Sequence, residues 1–443
     1  MNKTVGIYTL GCKVNQYESE AIGEALCDRG FTLRSADEPC DVYVINTCTV
    51  TAESDRKARQ FIRRALSHNP NAYVLVTGCL AQVDADSIRA IRGVDFVCGN
   101  RDKMAVVEEA VRLCEGGVKA ERAVLDVKTL EGADFECMSI RRFGRTRAYI
   151  KIEDGCESHC TYCIIPSARG HIRSKPMQDV LNEVKALTSS GCREVVLTGI
   201  ETASWGRDLG GVGLADLLEA VDRIPGIGRV RLGSLDPSLM KPAFVERIAK
   251  LRSLTPHFHL SLQSGSDRVL ARMKRKYNRT QALDAIERLR RAMPGVQFTT
   301  DVIVGFPGES EEDFADTLDF ARRARFLMIH VFPYSKRAGT PAATMPDQIP
   351  GNVKKARVAM LSSLASGIRA ELLREAIGNV KEVLFETYED GIAVGHTPDF
   401  IEVRVPSPRS LHAECRQVIL QAVTPDGNAC TGILISNEAG ENI

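Results

Sequence analysis

Residues 148–163 read AYIKIEDGCESHCTYC, in which a strand-like run is followed at once by Cys156, Cys160 and Cys163 at CxxxCxxC spacing. Three thiolates on one loop suit a 4Fe-4S cluster, because the fourth iron keeps an open coordination site for a small chelating ligand. A zinc loop or three buried thiols are the alternatives. No second Cys or His pair at zinc spacing follows, and His159 is a lone candidate ligand. We therefore predict a catalytic iron–sulfur cluster on this loop.

The same run opens a long alternation of strand-like and helical patterns. Six such repeats predict an open, partial (β/α)6 barrel, whose reactive groups belong at the carboxyl ends of its strands. The predicted strands are 148–153, 194–200, 229–234, 258–263, 298–304 and 328–334. A long helix is predicted over 352–377.

The first hundred residues alternate in the same way and predict a separate parallel α/β domain. Its predicted strands are 5–10, 41–47, 72–78 and 95–99, and one of its predicted helices covers 84–91. Cys12, Cys48 and Cys79 each follow one of these strands. Because the carboxyl ends of parallel strands share one edge, the three thiols form a candidate second cluster site. Cysteine is also a common buried residue, and spacing alone leaves both interpretations open.

After Gly378 the pattern changes to short strands with turns, which predicts a small, closed OB-like β-barrel. Four strands are predicted there: 381–386, 391–395, 401–405 and 416–422. The fold class is therefore α/β with a C-terminal β-barrel. The predicted units are an N-terminal domain 1–115, a linker 116–145, the partial barrel 146–375 and the small barrel 376–443.

Composition indicates a multi-domain globular protein. The chain has 443 residues, 44% apolar and 26% charged, with 58 Lys and Arg against 57 Asp and Glu. These values exclude collagen, coiled coils and disordered proteins. No apolar run approaches the roughly 20 residues that span a bilayer, and residues 1–10 lack the features of a signal peptide. We predict a cytoplasmic protein without membrane contact, whose 14 cysteines serve metal binding or catalysis rather than disulfides.

On these motifs the chain resembles the radical S-adenosylmethionine (SAM) methylthiotransferases over nearly its whole length. The CxxxCxxC motif with Tyr162 is similar to the cluster loop of the superfamily, and Cys12, Cys48 and Cys79 match the auxiliary-cluster ligands of the methylthiotransferase branch. The sequence GCKVNQYESE from Gly11 resembles the branch that acts on threonylcarbamoyladenosine in tRNA. The C-terminal segment resembles the TRAM domain, a small RNA-binding barrel.

The resemblance implies an enzyme with two 4Fe-4S clusters and SAM. One SAM molecule methylates a sulfur held by the auxiliary cluster. A second is cleaved by one electron at the loop cluster to a 5′-deoxyadenosyl radical, which takes the hydrogen from carbon 2 of the adenine at tRNA position 37. A one-electron reductant and a sulfur source are implied as partners. The rival substrates are isopentenyl-adenosine and a ribosomal-protein aspartate, against which the residues after Cys12 argue. A cluster-bearing RNA-binding protein without turnover is a rival of another class.

The SAM pocket is expected at strand ends of the barrel, in the part of the fold where the superfamily binds this cofactor. The expected contacts are Tyr162, Gly199, Glu201, Ser234, Gln263, Asp301 and Gly305. Some of these have simpler explanations, since Gly305 suits a strand-to-helix turn.

A net charge of +1 gives no global attraction to RNA, so contact with the tRNA anticodon loop must come from local patches. The predicted patch is a basic run that also reads as a solvated surface: Arg272, Lys274, Arg275 and Lys276. Residues 376–443 carry four Lys or Arg and ten Asp or Glu, a net of 4 − 10 = −6, which is poor for binding phosphate. RNA contact there is expected to depend on stacking by Tyr388 and Phe400.

Overall fold

A computed structural model of the chain describes residues 3–117 and 122–435. Residues 118–121 of the predicted linker and residues 436–443 of the predicted small barrel lie outside this part. The limits of the four predicted units stay a prediction. The α/β architecture with a C-terminal β-barrel is confirmed by the sheets that follow.

The N-terminal part is a parallel sheet covered by helices. Its strands are β1 Lys3–Thr9, β2 Phe31–Arg34, β3 Val42–Thr47, β4 Tyr73–Gly78, β5 Phe96–Cys98 and β6 Val124–Asp126. They lie in the order β2-β1-β3-β4-β5-β6. Every residue of β3 is buried, as expected where helices cover both faces of a parallel sheet. The strand order reverses between β1 and β3, because β2 lies on one side of β1 and all later strands lie on the other. Open α/β sheets bind ligands at such switch points.

Helices connect these strands, with one departure from prediction. They are α1 Lys13–Asp28, α2 Ala52–His68, α3 Cys79–Val83, α4 Ala85–Arg89 and α5 Ala105–Cys114. The helix predicted over 84–91 is present as the shorter α4, whereas α3 was not predicted. Asp84, with the non-helical angles φ −147° and ψ 52°, separates the two. Both β2 and β6 were missed, since they are short edge strands of four and three residues.

The central part is the predicted open barrel. Its strands are β7 Arg147–Lys151, β8 Glu153–Asp154, β9 Arg173–Ser174, β10 Glu194–Thr198, β11 Arg229–Leu232, β12 His257–Gln263, β13 Gln297–Val304 and β14 Met328–Pro333. Strands β7, β10 and β11 form one parallel sheet and β12, β13 and β14 another. A bridge between Leu235 and Leu260 joins the two, so the six strands form one curved wall.

Helices connect and follow the strands of this wall. They are α6 Ile165–Arg169, α7 Met177–Ser189, α8 Leu214–Asp222, α9 Pro242–Ile248, α10 Asp267–Arg272, α11 Arg279–Ala292, α12 Glu311–Ala324 and α13 Gly351–Ala376. The antiparallel pair β8–β9 ties together both ends of the segment that carries the three cysteines and α6. One hydrophobic core runs from α1 into the barrel, through residues such as Tyr17 and Ile150.

The C-terminal part is the predicted closed barrel. Its strands are β15 Val380–Glu389, β16 Ile392–His396, β17 Glu402–Pro406, β18 Cys415–Val423 and β19 Cys430–Leu434. They close in the order β15-β16-β17-β19-β18, so the prediction of four strands missed β19. None of the helices in the described ranges is both long enough and apolar enough to span a membrane.

Phe400 joins the small barrel to the amino-terminal end of the large one. Its ring stacks on His257 of β12 and on His396, with centroid separations of 4.4 and 4.8 Å. The guanidinium of Arg231 lies 4.9 Å from the ring centroid. Phe400 was predicted to stack on RNA bases, but this contact occupies it inside the protein.

Candidate active site

The three cysteines of the CxxxCxxC motif lie at the carboxyl end of the barrel, on the loop between β8 and α6. Backbone amides donate hydrogen bonds to two of the sulfurs, Ser158 N to Cys156 Sγ and Ile165 N to Cys163 Sγ, both at 3.4 Å. The loop is also held from outside, because Thr161 Oγ1 donates to the carbonyl oxygen of Arg272 at 2.8 Å. The sulfurs are therefore presented by a fixed backbone.

Arg275 belongs to this loop site. Its side chain is 8% exposed, and Nη1 lies 3.2 Å from Cys160 Sγ. Nη2 donates to Asp236 Oδ2 and to the carbonyl oxygen of Ser261, each at 2.9 Å. From the sequence, Arg275 is predicted to be part of an RNA-binding patch. In the structure its guanidinium instead points inward at Cys160. A basic run gives no signal that one member faces the interior.

Glu201 lies against the other side of the loop. Its carboxylate accepts hydrogen bonds from Ser158 Oγ at 2.8 Å and from the Cys156 thiol at 3.3 Å. Its backbone N–H donates to Glu153 Oε2 at 2.7 Å. A Cβ at Gly199 would lie 2.5 Å from that same Glu153 oxygen, so only glycine fits there. Glu153 and Ser158 were not predicted, although both flank Cys156 in sequence.

The remaining predicted SAM contacts lie at different depths in the barrel. Tyr162 packs in an apolar cluster under the loop, while Ser234 and Gln263 follow β11 and end β12 with exposed or partly exposed side chains. Gly305 directly follows β13 with φ +70°, and a Cβ there would lie 2.2 Å from Lys354 Cγ. Asp301 lies four residues earlier on β13, about 13 Å below that edge, and so inside the barrel.

Cys12, Cys48 and Cys79 converge at the carboxyl edge of the N-terminal sheet. Cys48 directly follows β3, and Cys79 directly follows β4. A Cβ at Gly11 would lie 2.8 Å from the Cβ of Cys48, and both Gly11 and Gly78 have φ of +101°. The glycine before each of Cys12 and Cys79 therefore allows the three loops to approach closely.

Arg169, at the end of α6, connects the two groups of cysteines. Its side chain is fully buried, and Nε donates to Cys79 Sγ at 3.3 Å. Nη2 donates to Asn15 Oδ1 at 2.6 Å, and Nη1 to Glu18 Oε1 at 2.6 Å. Cys163, just before α6, lies near enough to Cys79 for their charges to interact. The two cysteine groups thus face each other across one helix.

Glu18 is the centre of a buried ion network around Arg169. Its carboxylate pairs with Lys103 at 2.5 Å and Lys151 at 2.7 Å as well as with Arg169. Burial opposes ionisation of Glu18, but these cations hold its pKa well below the usual range. Asp154 is held in the same way by Arg169 and Lys151, which keep its pKa at about 2 despite burial. The network fixes α1, α6 and β7 together.

Both cysteine groups suit an iron–sulfur cluster. Burial raises the pKa of Cys156 to about 12 and those of Cys48 and Cys163 to about 11. These thiols are therefore protonated without iron, and binding of a cluster would have to release their protons. No three His, Cys, Asp or Glu side chains within the described ranges stand close enough to bind a single metal ion. A four-iron cluster places each cysteine on a different iron, so it suits sulfurs that converge without meeting at one point.

The four side chains of the predicted RNA patch point in different directions. A Cβ at Gly308 would lie 2.8 Å from Arg272 Cζ, so the Arg272 guanidinium lies on that loop. Lys276 forms an ion pair with Glu201 at 3.5 Å. Lys274 is exposed and makes no ion pair in the part of the chain that the structure describes. Lys274 and Lys276 are therefore the outward-facing cations of the run.

Comparisons with known proteins agree with this arrangement. Residues 150–321 match the radical SAM superfamily, and residues 4–99 match uncharacterized protein family UPF0004. The solved structure of the radical SAM methyltransferase TsrM from Kitasatospora setae has a similar fold, with a TM-score of 0.57 at 16% identity. This likeness covers 77% of this chain and 74% of TsrM.

Two groups of curated relatives cover most of the chain. It is 41% identical over 408 residues to the threonylcarbamoyladenosine tRNA methylthiotransferase MtaB of Bacillus subtilis, covering 90% of each protein. It is 37% identical over 391 residues to the tRNA-2-methylthio-N(6)-dimethylallyladenosine synthase of Carboxydothermus hydrogenoformans, covering 87% of this chain and 88% of that relative.

Proposed function

Because this chain belongs to the radical SAM methylthiotransferase family, we propose that it transfers a methylthio group to carbon 2 of threonylcarbamoyladenosine at position 37 of tRNA. The radical SAM domain implies one 4Fe-4S cluster and SAM as cofactors. The proposal adds a second cluster on Cys12, Cys48 and Cys79. Its anticipated partners are the tRNA anticodon loop, a one-electron reductant and a source of sulfur.

The observation that carries the proposal is the link between the two cysteine groups through Arg169. This residue ends the helix that follows Cys163 and donates to Cys79 Sγ. Methylthio transfer needs a site of hydrogen abstraction and a site of sulfur supply around the same base. When bound, the clusters supply the electron for SAM cleavage and the sulfur to be transferred. Two facing cysteine groups fit that requirement better than one electron-transfer cluster does.

The side chains around the loop would hold SAM and the cluster in place. Cys156, Cys160 and Cys163 would bind three irons, and Glu201 with Ser158 would fix the Cys156 side of the loop. Gly199 would allow the backbone to approach the methionine part of SAM, while Ser234 and Gln263 would offer polar groups to its ribose or carboxylate. Asp301 lies deeper in the barrel than these residues, so we do not assign it to SAM binding.

The test is mass spectrometry of tRNA nucleosides from cells that lack the gene and from cells in which it is restored. Loss and recovery of the methylthio form of threonylcarbamoyladenosine would support both reaction and substrate. If that nucleoside is unchanged, the proposed substrate is wrong. The methylthio form of the dimethylallyl nucleoside is measured in the same digest, because a relative at 37% identity is named for that product.

A further inference from the structure

The expected SAM contacts lie at the carboxyl ends of the barrel strands. Below them, the interior of the barrel is polar and open to water. His259 on β12, Asp301 on β13 and His330 on β14 face inward, with His259 Nε2 3.2 Å from Asp301 Oδ2 and the two imidazole rings 6.1 Å apart. On β14 the inward His330 is exposed, whereas its neighbour Ile329 is 8% exposed and packs in the core. A ligand can therefore reach this face from the open side of the barrel.

Lys13 enters this space from the N-terminal domain. It is the first residue of α1 and directly follows Cys12. Its charge interacts with those of four residues on the barrel strands β7, β10, β11 and β13, which are Arg147, Glu194, Arg231 and Asp301. The side chain thus extends from the second cysteine group toward the barrel interior.

Lys13 differs from the other interior lysines in having no counterion. Lys103 and Lys151 both pair with Glu18. The ammonium of Lys13 makes no hydrogen bond or ion pair with any residue that the structure describes. The two nearby acids already have partners, since Glu194 lies 2.9 Å from Arg231 Nε and Asp301 pairs with His259. A partly buried ammonium without a partner suits an anionic ligand.

We propose that Lys13 binds the threonyl carboxylate of the substrate base inside the barrel, and so selects threonylcarbamoyladenosine over isopentenyl-adenosine. This inference rests on the proposed function. In threonylcarbamoyladenosine the carbamoyl group joins adenine N6 to the amino group of threonine, which leaves an ionised carboxylate. The isopentenyl substituent is apolar and offers nothing to an ammonium. His330 is the neighbouring exposed donor on the same face.

The position of Lys13 fits this role. A base that receives sulfur must lie between the two cysteine groups, and Lys13 is one residue from Cys12. A substituent on N6 would then extend from the base toward the barrel interior. A site that pairs a buried charge with its ligand rejects a ligand lacking that charge, because the site's own charge is left unpaired.

The experiment compares three anticodon stem-loop RNAs, which carry threonylcarbamoyladenosine, its neutral threoninamide analogue, or isopentenyl-adenosine. Wild type, Lys13→Met, Lys13→Arg and a control, Lys185→Met, are assayed for kcat/KM and for RNA affinity. Lys185 is exposed on α7, outside the site.

Wild type should prefer the acid to the amide by about tenfold to a hundredfold in kcat/KM, the range for a hydrogen bond to a charged group. Lys13→Met should lose this preference, and Lys13→Arg should keep most of it.

Several outcomes would overturn the inference. Equal use of acid and amide by wild type would exclude recognition of the carboxylate. Equal loss of affinity for both RNAs in Lys13→Met would instead indicate a structural role beside Cys12, and iron and sulfide analysis would detect loss of a cluster. If wild type does not modify the acid RNA at all, the proposed function itself is wrong.

Discussion

Cys160 and Cys48 belong to different cysteine groups, so their substitution separates two steps of the proposed reaction. Cys160→Ala removes a ligand from the loop cluster and should abolish SAM cleavage. Cys48→Ala removes a ligand from the proposed second cluster, and this variant should still form 5′-deoxyadenosine but should not transfer the methylthio group. Anaerobic assays that quantify 5′-deoxyadenosine and the modified nucleoside by mass spectrometry measure both steps.

Cys27→Ala is the matched control for this pair, because Cys27 lies partly buried on α1 outside both groups. It should behave like wild type in both assays. Methylthio product from Cys48→Ala would remove the second cluster from this set of cysteines. Continued SAM cleavage by Cys160→Ala would remove the first cluster from the loop.

The convergence of the six cysteines into two groups could be predicted from sequence, because each stands at a recognisable place, either in a local motif or directly after a strand. Their role as cluster ligands stays a prediction. Parallel strands bring such positions to one edge whatever the residues between them. Arg275 could not be predicted in the same way. Its contact with Cys160 spans 115 residues, and its neighbours Lys274 and Lys276 face outward. A run of charges in sequence does not show which side chain turns inward.

Helix α6 and the segment after α10 each supply one arginine to one cysteine group. Arg169 donates to Cys79 Sγ and Arg275 to Cys160 Sγ, at 3.3 and 3.2 Å. Hydrogen bonds to cluster sulfurs raise the reduction potential. Arg169→Lys should therefore lower the reduction potential of the proposed second cluster and leave that of the loop cluster unchanged, and Arg275→Lys should do the reverse. Redox titration followed by electron paramagnetic resonance measures each cluster separately.

The two variants are each other's control, since both retain the positive charge and differ only in the cluster that they touch. A shift of both potentials in either variant would contradict the assignment. Lysine is chosen because removing the charge of Arg169 would leave Glu18 and Asp154 without their main buried cation. Breaking a buried pair in that way costs about 3–5 kcal/mol, which would obscure the effect on the cluster.

The elements that sequence missed are short or depend on distant partners. Strand β19 has five residues and pairs in parallel with β17, so its place in the barrel depends on a segment 27 residues earlier. The ion network of Glu18 is likewise non-local, because Arg169 is 151 residues away. Charged residues on amphipathic helices usually lie in solvent, so helical periodicity gave no indication that α1 buries a carboxylate.

Phe400 is one of several contacts between the two barrels, together with the ion pairs Arg147–Glu386 and Arg229–Glu382. Its substitution tests how much the ring contributes to this junction. Phe400→Ala removes the ring that stacks on His257 and His396 and should destabilise the junction by about 2–4 kcal/mol. Faster hydrogen exchange in β15 and β16, with the N-terminal sheet unchanged, would report this loss. Tyr388→Ala is the control, since Tyr388 is 37% exposed, and should cost at most about 1 kcal/mol. Equal effects of the two variants would contradict a junction held by Phe400.

Because Phe400 stacks on His257 and His396, it is not free to stack on RNA bases. The tRNA is therefore expected to bind elsewhere than at Phe400. The C-terminal region has a net charge of −6, and its Arg404 is already paired with Glu402 and Asp426. Lys274 lies beside the cluster loop, is exposed and is unpaired within the described ranges, so it is free to bind phosphate. Each phosphate contact with a single strand contributes about 0.7 to the slope of log K against log salt. Lys274→Glu should therefore reduce the slope for the anticodon loop of tRNA by about 0.7 or more, whereas Arg404→Glu should change it little. The opposite ranking in a salt titration of tRNA binding would assign the phosphate contacts to the small barrel instead.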